Sequence, residues 1–405
     1  MKGNKGEWSE PYVVIKLLSD GELKQGGVNL DGTEETSYKV LSVSRVEKVD
    51  QKVLTKTYQV HGDKVKVNVE GTMSEVPLEQ LTSYVKPFFD EIIRIKGASE
   101  LSAKAKDVLD NLQIESVKAD STTKSDLDVK IHDHYTASDH NLGFSIKSQL
   151  GSPSTLINAS KDNTNFCYKL NGVITSEQIA VINQICTKQK VRDRLKALYD
   201  AGVSLEFVQV LGDHYNSNLL MIDRDISSIL AEALLLHYSS LGSNLHEIVN
   251  MLKASNPMSY PQRSTGCFYA FKLKRFLSES ALGMMPATEW SGIHDATGGY
   301  IIVKKDGNLI SYHLLRKNLF ENYLLENTKF DTPSTSRHGF GEVYENNGDY
   351  FINLNLQVRF KAWSTSNTDS LLFLKLVTTP LLITASIFDN KQLFSIRLFS
   401  DISID

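Results

Sequence analysis

Two short stretches place acids and a lysine where they could act on a phosphate: KSDLDVKIHD from Lys124 and LGFSIKSQL from Leu142. Hydrolysing a phosphodiester requires neutralised phosphate charge, an acidified water and a supported departing oxygen, and a magnesium ion held by carboxylates can serve all three. Such a hard cation takes oxygen ligands. Asp126 is the first candidate ligand, with the main-chain carbonyl of Ile146 as another. Lys147 would face the scissile phosphate, offsetting its charge and orienting the attacking water. Ser145 and Gln149 share the face of Lys147 and complete the candidate catalytic group. The same pattern also describes the solvated face of an amphipathic hairpin.

A further acid, Glu10, opens a largely apolar segment. An ionised acid there is costly without a cation or a donor, so Glu10 is a candidate ligand for the same metal. A capping acid favoured by the helix dipole is an equal reading, and Glu7 competes for the metal role. His132 and His134 fall at the far end of the hairpin from Lys147, and His237 reads as a core-helix residue.

These groups need two strands to bring them together. Side chains alternate along a strand, so Asp126, Asp128 and Lys130 share one face, with Leu127, Val129 and Ile131 on the other. Gly143, Ser145, Lys147 and Gln149 share a face of the second strand, opposite Phe144 and Ile146. A hairpin with its tip near Thr136 and Ala137 predicts Asp126 opposite Lys147 and Asp128 opposite Ser145. Around this hairpin, a helix is predicted over Trp8 to Leu18, with Pro11 in its first turn or at a kink. Alternating runs between Tyr38 and Val69 read as a small antiparallel sheet. Helical patterns follow at Pro77 to Lys96 and Ser102 to Leu112, then at Ile226 to Tyr238 with Asp225 as cap, and from Phe268 to about Leu282 with Gly283 as stop. Asp306-Gly307 and Asn347-Gly348 signal hairpin turns.

The chain of 405 residues, 41% hydrophobic, is long enough for two or three domains. Its formal charge of -4 gives no bulk attraction for a polyanion, so contact with nucleic acid requires a local basic face. Three cysteines, widely spaced and without a CxxC pair, argue for reduced thiols in a reducing cytoplasm and against a zinc site. MKGNKGEWSE lacks the apolar core of a signal peptide. Leu371 to Phe388 is apolar but interrupted by Lys375 and Pro380, which fits a buried or partner-covered appendage better than a membrane span.

Recognition of a base sequence needs other groups. Arg or Lys typically reads guanine, whereas phosphate contacts fix position. Asn327 to His338 concentrates polar residues, among them Lys329, Ser334, Arg337 and His338, and Arg337 is the first candidate guanine reader. INLNLQVRF reads as one strand whose polar face carries Asn353, Asn355, Gln357 and Arg359. After Lys147, the small donors Ser152, Ser154, Thr155 and Asn158 are candidates for flanking phosphates. The run KQKVRDRLK, with Arg192 and Arg194, is either a phosphate-tracking helix or a solvated one. Each of these also suits an ordinary polar surface.

Asp126 followed by Ser145-Ile146-Lys147 resembles the PD-(D/E)XK nuclease signature, in which an N-terminal helix often adds an acid. Residues 1 to about 361 resemble the HpaII-type restriction endonucleases. The carrying stretches are GNKGEWSE, LGFSIKSQLGSPSTLINAS, DATGGYIIVKKDG, NTKFDTPSTSRHGFGEVY and INLNLQVRF. The resemblance implies an α/β fold of the α+β mixed-sheet kind: a PD-(D/E)XK nuclease core over residues 1–260, an α+β DNA-recognition region over 261–361, and an atypical apolar tail over 362–405. It further implies a bacterial type II enzyme that cuts double-stranded DNA with Mg2+, at CCGG and leaving 5′ overhangs, alongside a protecting DNA methyltransferase. A palindromic target suits a homodimer. Ser145 stands where the signature has Asp or Glu, so Asp128 and Glu10 become candidates for the displaced acid. A repair or junction nuclease of the same fold, and a DNA-binding protein without catalysis, are the alternatives.

Overall fold

The computed structural model describes residues 1–27, 32–119, 125–261 and 266–362. The predicted tail therefore lies outside the described residues. Asn4 starts helix α1 (Lys5–Asp20) with a capping box, accepting from the N–H of Gly6 and Glu7 while Glu7 accepts from Asn4. Pro11 sits in the second turn of this helix, beyond the first turn expected for it.

Strands β1 (Glu22–Gly26), β2 (Gly32–Val49), β3 (Lys52–His61), β4 (Lys64–Val69) and β5 (Thr72–Pro77) run as an antiparallel meander, followed by helices α2 (Leu78–Arg94) and α3 (Ala103–Asn111). The predicted hairpin is formed by β6 (Leu127–Asp133) and β7 (Ser138–Ser148). The chain then leaves this sheet for β8 (Thr155–Ile157), β9 (Asn165–Asn171), α4 (Ser176–Asn183), α5 (Lys190–Asp200), β10 (Ser204–Val210), α6 (Asp213–Ile222), α7 (Ile226–Tyr238), α8 (Leu245–Ser255) and α9 (Phe268–Leu282). It returns through β11 (Gly299–Val303) and β12 (Leu309–Tyr312) and ends in α10 (Lys317–Asn327), β13 (Thr328–Phe330), α11 (Thr335–His338), β14 (Val343–Asn346), β15 (Asp349–Asn355) and β16 (Val358–Phe360).

The result is a mixed α/β architecture around one nine-stranded sheet, ordered β1-β12-β11-β7-β6-β2-β3-β4-β5. The expected small antiparallel sheet is therefore the far arm of the main sheet, joined to it where β2 pairs with β6. β11 joins β7 in parallel, which places Tyr300 beside Ser145 and Ile302 beside Lys147. Leu127, Val129, Ile131, Phe144 and Ile146 bury one face of this sheet with Val13, Val14 and Leu17 of α1 and Phe88 of α2. Burying each such side chain contributes about 1.5–3 kcal/mol. The other face carries Tyr300, Ile302 and Tyr312 into a second core with Phe320, Tyr323 and the helices α7 to α9.

Three sequence expectations change here. The hairpin register pairs Asp128 with Gly143 and Leu127 with Phe144, two residues away from the predicted pairing of Asp128 with Ser145. The turn is set by Asp133, whose carboxylate accepts from Tyr135 N at 2.8 Å and from Thr136 Oγ1 at 3.0 Å. Because the shift is even, every side chain keeps its face. INLNLQVRF does not form one strand but divides into β15 and β16, which lie in different sheets. Asp225 stands at the N-cap position of α7 but caps nothing, because its carboxylate is engaged by Tyr260 and by Lys272 at 3.1 Å. Gly283 ends α9 as expected, and Asn347 and Gly348 turn with φ of 53° and 84°, the two positive angles a tight hairpin requires.

Candidate active site

Asp126 stands one residue before β6, its N–H donating to Phe144 O at 2.8 Å. One carboxylate oxygen accepts from Ile146 N at 2.6 Å and from Ser145 Oγ at 3.1 Å. Ser145 in turn accepts from Lys147 Nζ at 2.7 Å. The serine therefore bridges the ammonium to the carboxylate, which an ionised acid at position 145 could not do, having no proton to donate to Asp126. Ile146 contributes its N–H to Asp126. Tyr300, on the adjacent parallel strand, presents its ring 4.8 Å below Lys147 Nζ. Desolvation lowers the pKa of Lys147, and the charges of Asp126 and Glu10 oppose that shift.

Glu10 projects from α1 toward this group. Ala119 N donates to its Oε2 at 2.7 Å, and Arg45 Nη2 lies 3.8 Å away. Burial, then the charge of Asp126, raises the Glu10 carboxyl from 4.5 to about 8. Two acids thus crowd one space, and the charges of Arg45 and Lys118 offset this only in part. Glu7, the competitor, is occupied by the helix cap and by Lys118 Nζ at 2.7 Å. Ser9 Oγ lies 2.8 Å from Ser148 Oγ and ties α1 to the end of β7.

This donor set fits a magnesium ion, which takes one or two carboxylates and completes its shell with waters and substrate phosphate. Among the described residues no three or more His, Cys, Asp or Glu are grouped to hold a metal. Asp128 lies against Gly143, where an added Cβ would stand 3.0 Å from Asp128 Oδ1 and 2.9 Å from Asp295 O. Burial raises the pKa of Asp128. Gln149 turns to the neighbouring hairpin, accepting from Lys305 N at 3.1 Å.

The recognition candidates divide into two groups. Thr155, Arg359 and Lys329 stand side by side in the small sheet β13-β16-β8, and Ser154 O accepts from Phe360 N at 3.0 Å. Arg359 Nε is held by Asp331 at 3.0 Å, while Gln357 O accepts from Asp331 N at 3.1 Å. Ser152 and Asn158 are exposed. Ser334 caps the short helix α11, which leaves Arg337 exposed and His338 partly covered, with a pKa lowered by burial and by Arg337. Asn355 departs from its expected place on a polar strand face. It is fully buried, with its amide donating to Asn165 Oδ1 at 2.7 Å and to Ser160 O at 2.9 Å. Arg194 of the basic run is likewise buried, donating to Gly341 O at 2.7 Å.

Sequence reasoning missed Arg45, Tyr300 and the N–H of Ala119. Tyr300 lay within a quoted stretch and could have been found from its alternation with Ile301. The other two depend on long-range contacts.

The HpaII restriction endonuclease family model matches residues 4–360. The type II restriction enzyme HpaII of Haemophilus parainfluenzae is 40% identical over 361 residues, which span 88% of this chain and 98% of that protein. No solved structure matches. Matches of this extent define the class as a type II restriction endonuclease, a site-specific deoxyribonuclease. Within it, the chain belongs to the HpaII restriction endonuclease family. The resemblance read from GNKGEWSE through INLNLQVRF is borne out.

Proposed function

We propose that this restriction endonuclease hydrolyses both strands of DNA at CCGG in a Mg2+-dependent reaction, leaving 5′ overhangs, from a PD-(D/E)XK-type core. The observation that carries this reading is the convergence of Asp126 and Glu10 beside a lysine held by Ser145 at 2.7 Å. Asp126 and Glu10 would hold the magnesium ion, which when bound neutralises phosphate charge and acidifies a water.

The chain's own groups do the rest. The Ile146 N–H and the Ser145 hydroxyl fix the Asp126 carboxylate before substrate arrives, so no reorganisation is needed at the reacting phosphate. Ser145 and the Tyr300 ring aim the Lys147 ammonium. In its desolvated setting that ammonium stabilises charge developing on the phosphate oxygens more strongly than it would in water. Ala119 N–H sets the orientation of Glu10.

For recognition we propose Arg337, exposed on α11, as the guanine reader. Lys329, Arg359 and Thr155 would form a small-sheet wall, and Ser152, Ser154, Asn158, Ser334, His338 and Gln357 would supply phosphate or edge contacts. A two-fold dimer on a palindromic site, a bacterial cytoplasmic setting and a companion methyltransferase complete the proposal. No helix among the described residues is long and apolar enough to cross a membrane. The test is cleavage of a plasmid with one CCGG site in Mg2+ by the parent and by Asp126→Asn. A single linear product from the parent alone is expected. Equal cutting by Asp126→Asn would remove this site from the reaction.

A further inference from the structure

The meander arm buries one face and leaves the other to solvent. Val43, Arg45 and Glu47 of β2, Lys56 and Tyr58 of β3, and Val65 and Val67 of β4 point inward. Cross-strand partners share a face, so the register assigns the opposite one. It carries the pairs Lys39 with His132, Ser42 with Lys130, Ser44 with Thr57, Thr57 with Asn68, and Gln59 with Lys66. Lys39, Gln59 and Lys130 are exposed, and Ser42, Thr57, Lys66 and Asn68 are partly so. A groove on this face is lined by Gly21, Lys39, Ser42, Thr57, Gln59 and Lys130.

Two features give the face a direction and a charge. It is the face of Asp128, Ser145 and Lys147, so it runs without interruption from the candidate active site across β6, β2 and β3 to β4. Two of its acids are already paired, Glu75 at 2.7 Å from Lys64 and Asp139 at 3.2 Å from Lys130 and 2.9 Å from His132, while Asp128 lies at the active-site end. Lys39 and Lys66 have no ion pair among the described residues. A chain of net charge -4 that binds a polyanion needs such a local basic surface.

We propose that this face is a docking wall for the phosphate backbone of duplex DNA flanking the cut. The inference rests on the proposed function and adds a second contact region to it. Four strand spacings of about 4.8 Å separate β7 from β4, so the wall extends roughly 19 Å from Lys147. At about 3.4 Å per base pair that reaches about five or six pairs from the scissile phosphate, beyond a four-base target. Lysines and small hydroxyl or amide donors with no fixed fork suit phosphate oxygens and not base edges, so the wall raises affinity without reading sequence.

The test compares the parent with Lys39→Ala/Lys66→Ala/Lys130→Ala, all exposed or partly exposed side chains outside the catalytic group. Binding is measured without metal on duplexes carrying CCGG with two or with twelve flanking base pairs, over a range of NaCl concentrations. With long flanks the triple variant is expected to bind at least tenfold more weakly, and its slope of log K against log salt should shrink by about 2 to 3, near 0.9 per lost phosphate contact. With short flanks the two proteins should bind alike, and in Mg2+ both should cut at the same bond. An unchanged slope and flank dependence, in a parent that cuts CCGG, overturns the wall and leaves the proposed function standing. A changed sedimentation coefficient with an unchanged slope would assign the face to a second copy of the chain and also overturn it. A parent that neither binds nor cuts CCGG overturns both readings.

Discussion

Replacing Glu10 by glutamine should abolish cutting and yet stabilise the metal-free protein in alkaline solution. Glu10 holds its proton more tightly in the folded protein, at about 8 against an ordinary 4.5, because burial and the Asp126 charge oppose its ionisation. The stability tied to that proton is fully present below about pH 4.5 and is lost as pH rises through about 8. At about 1.4 kcal/mol per unit the difference amounts to roughly 4–5 kcal/mol. Solvent reaching the side chain, which is 14% exposed, trims this to about 3–4 kcal/mol. Glu10→Gln removes the ionisation and can still accept from Ala119 N. Urea denaturation followed by tryptophan fluorescence should give matching stabilities for parent and variant near pH 4.5, with the variant ahead by about 3 kcal/mol at pH 9. Magnesium should close the gap at pH 9 by stabilising the parent alone. Parallel stability curves from pH 4.5 to 9 would refute the crowding of Glu10 against Asp126.

Three further substitutions separate catalysis from folding. Lys147→Met should lower the single-turnover cleavage rate by about 10²–10³-fold, the usual loss for one preorganised donor, with DNA affinity retained; near-normal cleavage would exclude its role at the phosphate. Asn355→Ala should cost about 2–3 kcal/mol in a melting experiment, since its buried partners lose their bonds, and weaker DNA binding by a fully folded variant would instead make Asn355 a reader. Lys56→Met should cost about 3 kcal/mol, the low end for breaking a buried pair, because Glu47 loses Lys56 but keeps Arg45 at 3.1 Å, and a variant that melts with the parent would show that Arg45 alone balances the charge.

Much of the site was legible because strand alternation is a local property. Asp126 and Lys147 were assigned to one face with no knowledge of what covers the other, and an even register error could not move them off it. The register itself was not legible, since it depends on the Asp133 carboxylate closing the turn. Glu10 could be found because an acid in an apolar run needs a reason. By contrast, nothing in the alternating runs between Tyr38 and Val69 marks Arg45, Glu47 and Lys56 as inward-facing. They point inward because Arg45 donates to Ser116 O at 3.0 Å, Glu47 accepts from Glu115 N at 2.9 Å and Lys56 donates to Glu47. No local pattern encodes a contact some 70 residues away. Asn355 failed for the same reason, its amide being satisfied by residues 160 and 165.

The most direct measurement is the sequence of the DNA ends produced from a defined fragment with Mg2+. Every end is expected within CCGG, with a 5′ overhang, and none should form with Asp126→Asn. Ends scattered over the fragment, ends confined to junctions, or tight specific binding without any cut would contradict a site-specific nuclease centred on Asp126, Glu10 and Lys147.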